Sequence, residues 1–178
     1  MNKDIESALT KGLVAGYAGG KPESVSRGGF PGKASHIELP DGSIYHDEWF
    51  AGNSGGGQEL VQVGGELFTR LYAGGTPDEK TLSSLGITDK EVSSYLKEMI
   101  VKLGDRTRLI ENCNPEPDGD WQYEYVITGT YPETNILTSL ESIEYKNNAV
   151  HRHAFILCSK VIQVVRKHNT YEVETILN

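Results

Sequence analysis

Two hydrophobic periods alternate along the chain. Over residues 4–17, Ile5, Ala8, Leu9, Leu13 and Ala15 fall near helical spacing and Gly16, Gly19 and Gly20 end the run. The spacing predicts a short amphipathic helix that Gly12 weakens. Residues 21–33, KPESVSRGGFPGK, carry two prolines and three glycines and predict an irregular surface segment. The period then drops to two. Apolar and polar positions alternate over 36–39, 43–50, 58–63 and 67–72, which predicts short strands, with Gly64-Gly65 closing an antiparallel hairpin.

Helical signals return at Thr76-Pro77-Asp78-Glu79, with Thr76 as N-cap and Pro77 at the first position. Thr88 and Glu91 have the spacing of a capping box, and Val92, Tyr95, Leu96, Met99, Ile100 and Leu103 mark one helical face as far as Gly104. Strands are predicted over 107–112, 121–130, 135–145, 149–158 and 161–173. Hairpin-sized connections dominate, so the expected class is α+β: antiparallel sheet with two main helices on one face.

A degenerate internal repeat organises this pattern. Asp41-Gly42-Ser43-Ile44 lies on Asp118-Gly119-Asp120-Trp121 at an offset of 118 − 41 = 77, and Glu59-x-Val61-x-Val63 lies on Glu141-x-Ile143-x-Tyr145 at 141 − 59 = 82. The expectation is a single domain, 1–178, with halves of about 1–75 and 76–178, each a helix-plus-strands module. At 178 residues such a domain buries a core without disulfides.

Charge and composition narrow the function classes. A net charge of −8 disfavours a phosphate-tracking surface, so nucleic acid is not the expected partner. The two cysteines, Cys113 and Cys158, form no disulfide framework and no zinc-finger spacing, which points to a reducing cytoplasm. No segment approaches the roughly 20 apolar residues of a membrane span, and Glu6, Thr10 and Lys11 interrupt the apolar run a signal peptide needs.

Tyr17-Ala18-Gly19-Gly20, Ser26-Arg27-Gly28-Gly29, Tyr45-x-Asp47-x-Trp49-Phe50-Ala51-Gly52 and Gly57-Gln58-Glu59-x-Val61 occur in that order. In this the chain resembles an uncharacterised bacterial domain family, a domain of unknown function sometimes appended to helix-turn-helix regulators. The resemblance covers roughly residues 13–72, with a looser echo over 121–155. It departs where Gly28 follows the Ser-Arg pair and at Leu67-Phe68-Thr69-Arg70-Leu71-Tyr72. It implies a regulatory or sensing accessory domain and brings no catalytic residues.

Several groupings have chemical potential. His151-x-His153 puts two imidazoles on one face of a strand, as a metal site requires, with His36, His46, Glu141 or Cys158 as sources of a third ligand. On the strand over 43–50, His46 and Glu48 share one face and Tyr45, Asp47 and Trp49 the other; the plain structural reading packs Trp49 and leaves the acids solvated. The glycine-rich run 52–57 suits a flexible hairpin connection or, less simply, an anion-binding nest, without the ending of a phosphate-binding P-loop. Glu59 and Glu141 are repeat-related acids expected to cap a turn or pair with a surface Lys or Arg. Ser54 lacks the spacing of a nucleophile elbow.

The reading that follows is a non-catalytic small-ligand-binding or regulatory module with no cofactor, its pocket near the glycine-rich loops and contacted by Arg27, Trp49, Glu59 and Tyr72. One alternative is an acidic inhibitor or immunity-type protein that masks a basic protein. The other is a metal-dependent hydrolase using His151 and His153.

Overall fold

The alternating segments assemble into one antiparallel sheet, shown by a computed structural model that describes residues 3–52, 54–167 and 170–175, with side chains to residue 158. Asn53 of the glycine-rich run lies outside the described residues, as do residues 168 and 169 of the strand predicted over 161–173. The strands are β1 (Glu23–Arg27), β2 (Phe30–Glu38), β3 (Ile44–Phe50), β4 (Ser54–Val63), β5 (Glu66–Gly75), β6 (Trp121–Tyr131), β7 (Ile136–Tyr145), β8 (Asn148–Lys167) and β9 (Thr170–Thr175). Their order is β1-β2-β3-β4-β5-β8-β7-β6, and β9 pairs with β8. Two meanders, β1 to β5 and β6 to β8, therefore join through the antiparallel β5–β8 pair.

Helices α1 (Lys3–Leu13), α2 (Glu79–Ser84) and α3 (Asp89–Leu103) complete the α+β architecture. The apolar stripe of α1 buries Ile5, Ala8, Leu9 and Leu13, and that of α3 buries Val92, Tyr95, Leu96, Met99, Ile100 and Leu103. Both stripes join one core with Tyr45, Val61, Phe68, Tyr123, Tyr125, Ile143, Phe155 and Leu157 from the sheet. The helix α1 packs over β3 and β4, while Tyr95 of α3 stacks on Trp121 of β6 at 4.9 Å. After α1 the backbone widens into a π-turn over Val14–Ala18, closed by the Gly19 N–H donating to the Val14 carbonyl at 2.9 Å, and this turn carries Tyr17.

Four predicted details change. Residues 21–33 are not irregular: they form the β1–β2 hairpin, because Gly28 and Gly29 take φ of 57° and 87° in a two-residue turn whose twist suits the flanking strands. Pro31 precedes the first β2–β3 pair at Gly32, so its missing N–H costs that ladder nothing. The cap of α2 is Asp78, whose carboxylate accepts from the Thr81 N–H at 2.8 Å; Thr76 instead donates its hydroxyl to Asp89 at 3.0 Å. Residues 107–112 are not a strand: they pair with no neighbouring ladder, and the carbonyls of Arg108 and Leu109 accept from the side chains of Arg70 and Tyr125. The strands predicted over 149–158 and 161–173 are instead one long β8, followed by β9. The Thr88–Glu91 capping box is formed as the spacing predicts.

Gly12, which lowers the helix propensity of α1, is required by contact. A Cβ there would lie 2.1 Å from Cγ of buried Tyr45. Intrinsic propensity alone favours Gly12→Ala by about 1 kcal/mol. The overlap reverses the sign, so Gly12→Ala is expected to destabilise the fold by about 1–3 kcal/mol, read as a lower urea midpoint at unchanged slope.

Candidate functional site

The inner face of the sheet, the one the helices cover, carries an unusual amount of charge. On β3, β4 and β5 the cross-strand row Asp47, Glu59, Arg70 runs in register, and all three side chains are buried. Arg70 Nε donates to Glu59 Oε2 at 2.5 Å, and Tyr45 donates its hydroxyl to Glu59 Oε1 at 2.9 Å. A second cluster has the same core: Tyr123 donates to Glu141 Oε1 at 2.7 Å, and Arg108 grips both Glu141 oxygens at 2.6 and 2.5 Å. The clusters are joined, because Arg70 Nη1 donates to the Arg108 carbonyl, and both guanidinium groups lie within 5.3 Å of the Phe155 ring centroid. Arg108 reaches inward from the segment after α3 with a left-handed φ of 57°.

Burial alone would raise both glutamates, yet each carboxyl is held below its ordinary range by its arginine, Glu141 well below. Asp47 behaves oppositely. Burial, then the charge on Glu59, pushes it up to about 7 despite the hydrogen bond that Tyr72 donates to it at 2.9 Å. Burial and the Asp47 charge in turn raise the Tyr72 phenol.

His151 and His153 lie beside the second cluster. His151 Nε2 is 3.2 Å from His153 Nδ1, and Glu141 Oε2 is 3.6 and 3.8 Å from the same two atoms. Burial lowers the His153 pKa from its ordinary value, against the hydrogen bond to Glu141 that raises it. Across the sheet His153 is opposite Gly74 of β5, which is opposite Gly55 of β4. Two residues without side chains leave the inner face open next to the imidazoles, and a cleft of about 590 Å³ occupies that space. His151, His153 and Tyr72 reach it from the sheet, Tyr17 and Trp49 meet edge to face at 6.0 Å beside it, and Ser93 and Lys97 reach it from α3. The hairpin of β1 and β2 and the residues around Gly52 contribute its rim.

The site residues read from the sequence separate accordingly. Trp49 and Tyr72 line the cleft, and His151 and His153 line it together. Glu59 does not: it is sealed in the core on Arg70, a buried partner rather than the expected surface one. Arg27 is on the exposed hairpin, ion-paired with Glu48, and does not line the cleft. Asp47 is buried instead of solvated. Of the glycine run, Gly55–Gly57 belong to β4 rather than to a nest, since they pair with Gly74, Ala73 and Tyr72 of β5; added Cβ atoms would collide with the carbonyls of Phe50, Tyr72 and Glu48. Sequence reasoning missed Arg70 and Arg108; the available signal was a charged residue at an inward position of an alternating strand, for Arg70 alone. Comparison of the chain with protein-family models, curated proteins and solved structures gives no match, so function is argued from the site itself.

Arg70→Leu leaves Glu59 buried without its cation and is expected to cost about 3–5 kcal/mol in urea unfolding. Glu59→Met combined with Arg70→Leu is expected to recover a large part of that loss. Asp47 supplies a pH signature. Because its folded pKa of about 7 exceeds an unfolded value near 3.8, its contribution to stability is complete below that lower value and is lost as pH rises through about 7. Asp47→Asn removes that loss, so thermal melts should show it gaining on the natural chain by on the order of 5 °C at pH 8 and by little at pH 4.

Proposed function

We propose that the protein is a non-catalytic binding module for a small, planar, anionic molecule held in the cleft between α3, the β1–β2 hairpin and the glycine-bearing strands. The observation that carries this reading is the cleft of about 590 Å³, which combines aromatic surface from Tyr17, Trp49 and Tyr72 with backbone walls and a few convergent polar groups. That combination is the usual make-up of a small-molecule site, in which apolar rings supply contact area and sparse polar groups fix orientation. Lys33 and Lys97 at its walls favour a negatively charged group. Binding would order the hairpin and the 51–52 turn against α3, so occupancy would alter the surface around them, as a sensing module requires.

A second reading has its own support. A separate hollow is lined by Glu116, Glu124 and Glu144 with Asn114 and Gln122, which together with the net charge of −8 suits the basic side chain of a protein partner. Among the described residues no helix is long and apolar enough to cross a membrane.

Trp49 and Trp121 are the two tryptophans, so Trp121→Phe leaves Trp49 as a reporter inside the cleft. Titration of that variant with aromatic carboxylates and nucleoside monophosphates should give a saturable fluorescence change, abolished by Lys97→Glu. At a ligand concentration 100 times Kd the melting temperature should rise by roughly 5–10 °C. No saturable change and no thermal shift with any planar anion would dispose of the cleft reading.

A further inference from the structure

We propose that Glu141 Oε2, His151 Nε2 and His153 Nδ1 form a binding site for one divalent transition-metal ion at the floor of the cleft. These three atoms lie within 4.8 Å of one another, at separations of 3.2, 3.6 and 3.8 Å. A tetrahedral ion with bonds of about 2.0–2.2 Å holds its ligands about 3.3–3.6 Å apart, so the triangle comes within about 0.2 Å of one face of a coordination tetrahedron on every side. Its open side is the cleft that both histidines line, which provides an entry path and a fourth position for water.

The sheet imposes this arrangement. Glu141 on β7 is the direct cross-strand partner of His153 on β8, and His151, two residues earlier, projects from the same face. Arg108 and Tyr123 fix the Glu141 carboxylate, Tyr123 on Oε1 and Arg108 on both oxygens, the outer support that metal-ligating carboxylates use. Arg108 also withdraws charge from that carboxylate, which weakens it as a ligand, so affinity should fall short of a closed structural zinc site. Two imidazoles and one carboxylate select Zn²⁺, Co²⁺ or Ni²⁺ over Mg²⁺ and Ca²⁺. Binding replaces the present His151–His153 contact, and the two facing ring nitrogens must both be unprotonated to accept the ion. The other histidine pair, His36 and His46, has ring centroids 5.6 Å apart and belongs to no such three-residue group among the described residues.

The metal is titrated into the protein alone, so the result is independent of any organic ligand. With Co²⁺ the expected outcome is one ion per chain, visible absorption of a four-coordinate site, and displacement by Zn²⁺. His151→Gln and His153→Gln should each weaken binding by at least about tenfold, while His36→Gln with His46→Gln leaves it unchanged. If either single variant fails to fold by circular dichroism, the natural chain decides. Its imidazole ¹⁵N resonances should shift on Zn²⁺ addition at Nε2 of His151 and Nδ1 of His153. No stoichiometric binding at a Co²⁺ concentration on the order of 100 µM, retention in the folded His151 and His153 variants, or shifts at other ring nitrogens would overturn the proposal.

Discussion

Two arginine–carboxylate pairs, buried between the sheet and its helices, are the constraint on which this structure depends. Arg70 with Glu59 and Arg108 with Glu141 place four full charges where apolar packing would be expected, and each is secured by a tyrosine hydroxyl on the carboxylate. Desolvating such ions costs several kcal/mol each, so the arrangement holds only with every partner present. It also fixes the connection between the two meanders. The segment after α3 cannot pair as a strand, because it must deliver the Arg108 side chain to Glu141 and its carbonyl to Arg70. Asp47 is the odd charge in this account. Two cations already balance two glutamates, so burial and then the Glu59 charge raise this third carboxylate while the other two are lowered.

The periodicity made the architecture legible and the interior chemistry largely illegible. Helix α3 with its capping box and the faces of β3 follow from spacing, since burial enforces one period per element. The hairpin over residues 23–38 did not, because Pro22 and Pro31 signal a loop while the deciding feature is a two-glycine turn between them. Alternation also placed Tyr45, Asp47 and Trp49 on a common face, but the assumption that acids are solvated sent Asp47 outward. The resemblance between the halves shows the same limit. Tyr45 and Tyr123 play equivalent roles on Glu59 and Glu141, at an offset of 123 − 45 = 78, whereas an offset of 77 sets Tyr45 against Gln122. A slip of one residue exchanges the faces of a strand. The likeness ends at the Tyr–Glu unit: Arg70 comes from the neighbouring strand and Arg108 from outside the sheet, a difference no pairwise spacing conveys.

The location of the cleft follows from glycines used for proximity rather than for flexibility. A Cβ on Gly74 would lie 2.0 Å from the Arg152 carbonyl, and one on Gly57 would lie 2.3 Å from the Glu48 carbonyl, so these strands reach their spacing only without side chains there. The same absence removes the material that would otherwise cover the row from Glu141 through His153 to Gly74 and Gly55. The consequence is a surface whose shape is set by backbone and whose chemistry is set by one edge of the charged interior. Tyr72 carries the Asp47 end of the network into the cleft, and His151 and His153 carry the Glu141 end. A group that binds there meets aromatic surface and the outermost members of a prearranged set of charges at once, so whatever occupies the cleft is coupled to the pairs that hold the fold together.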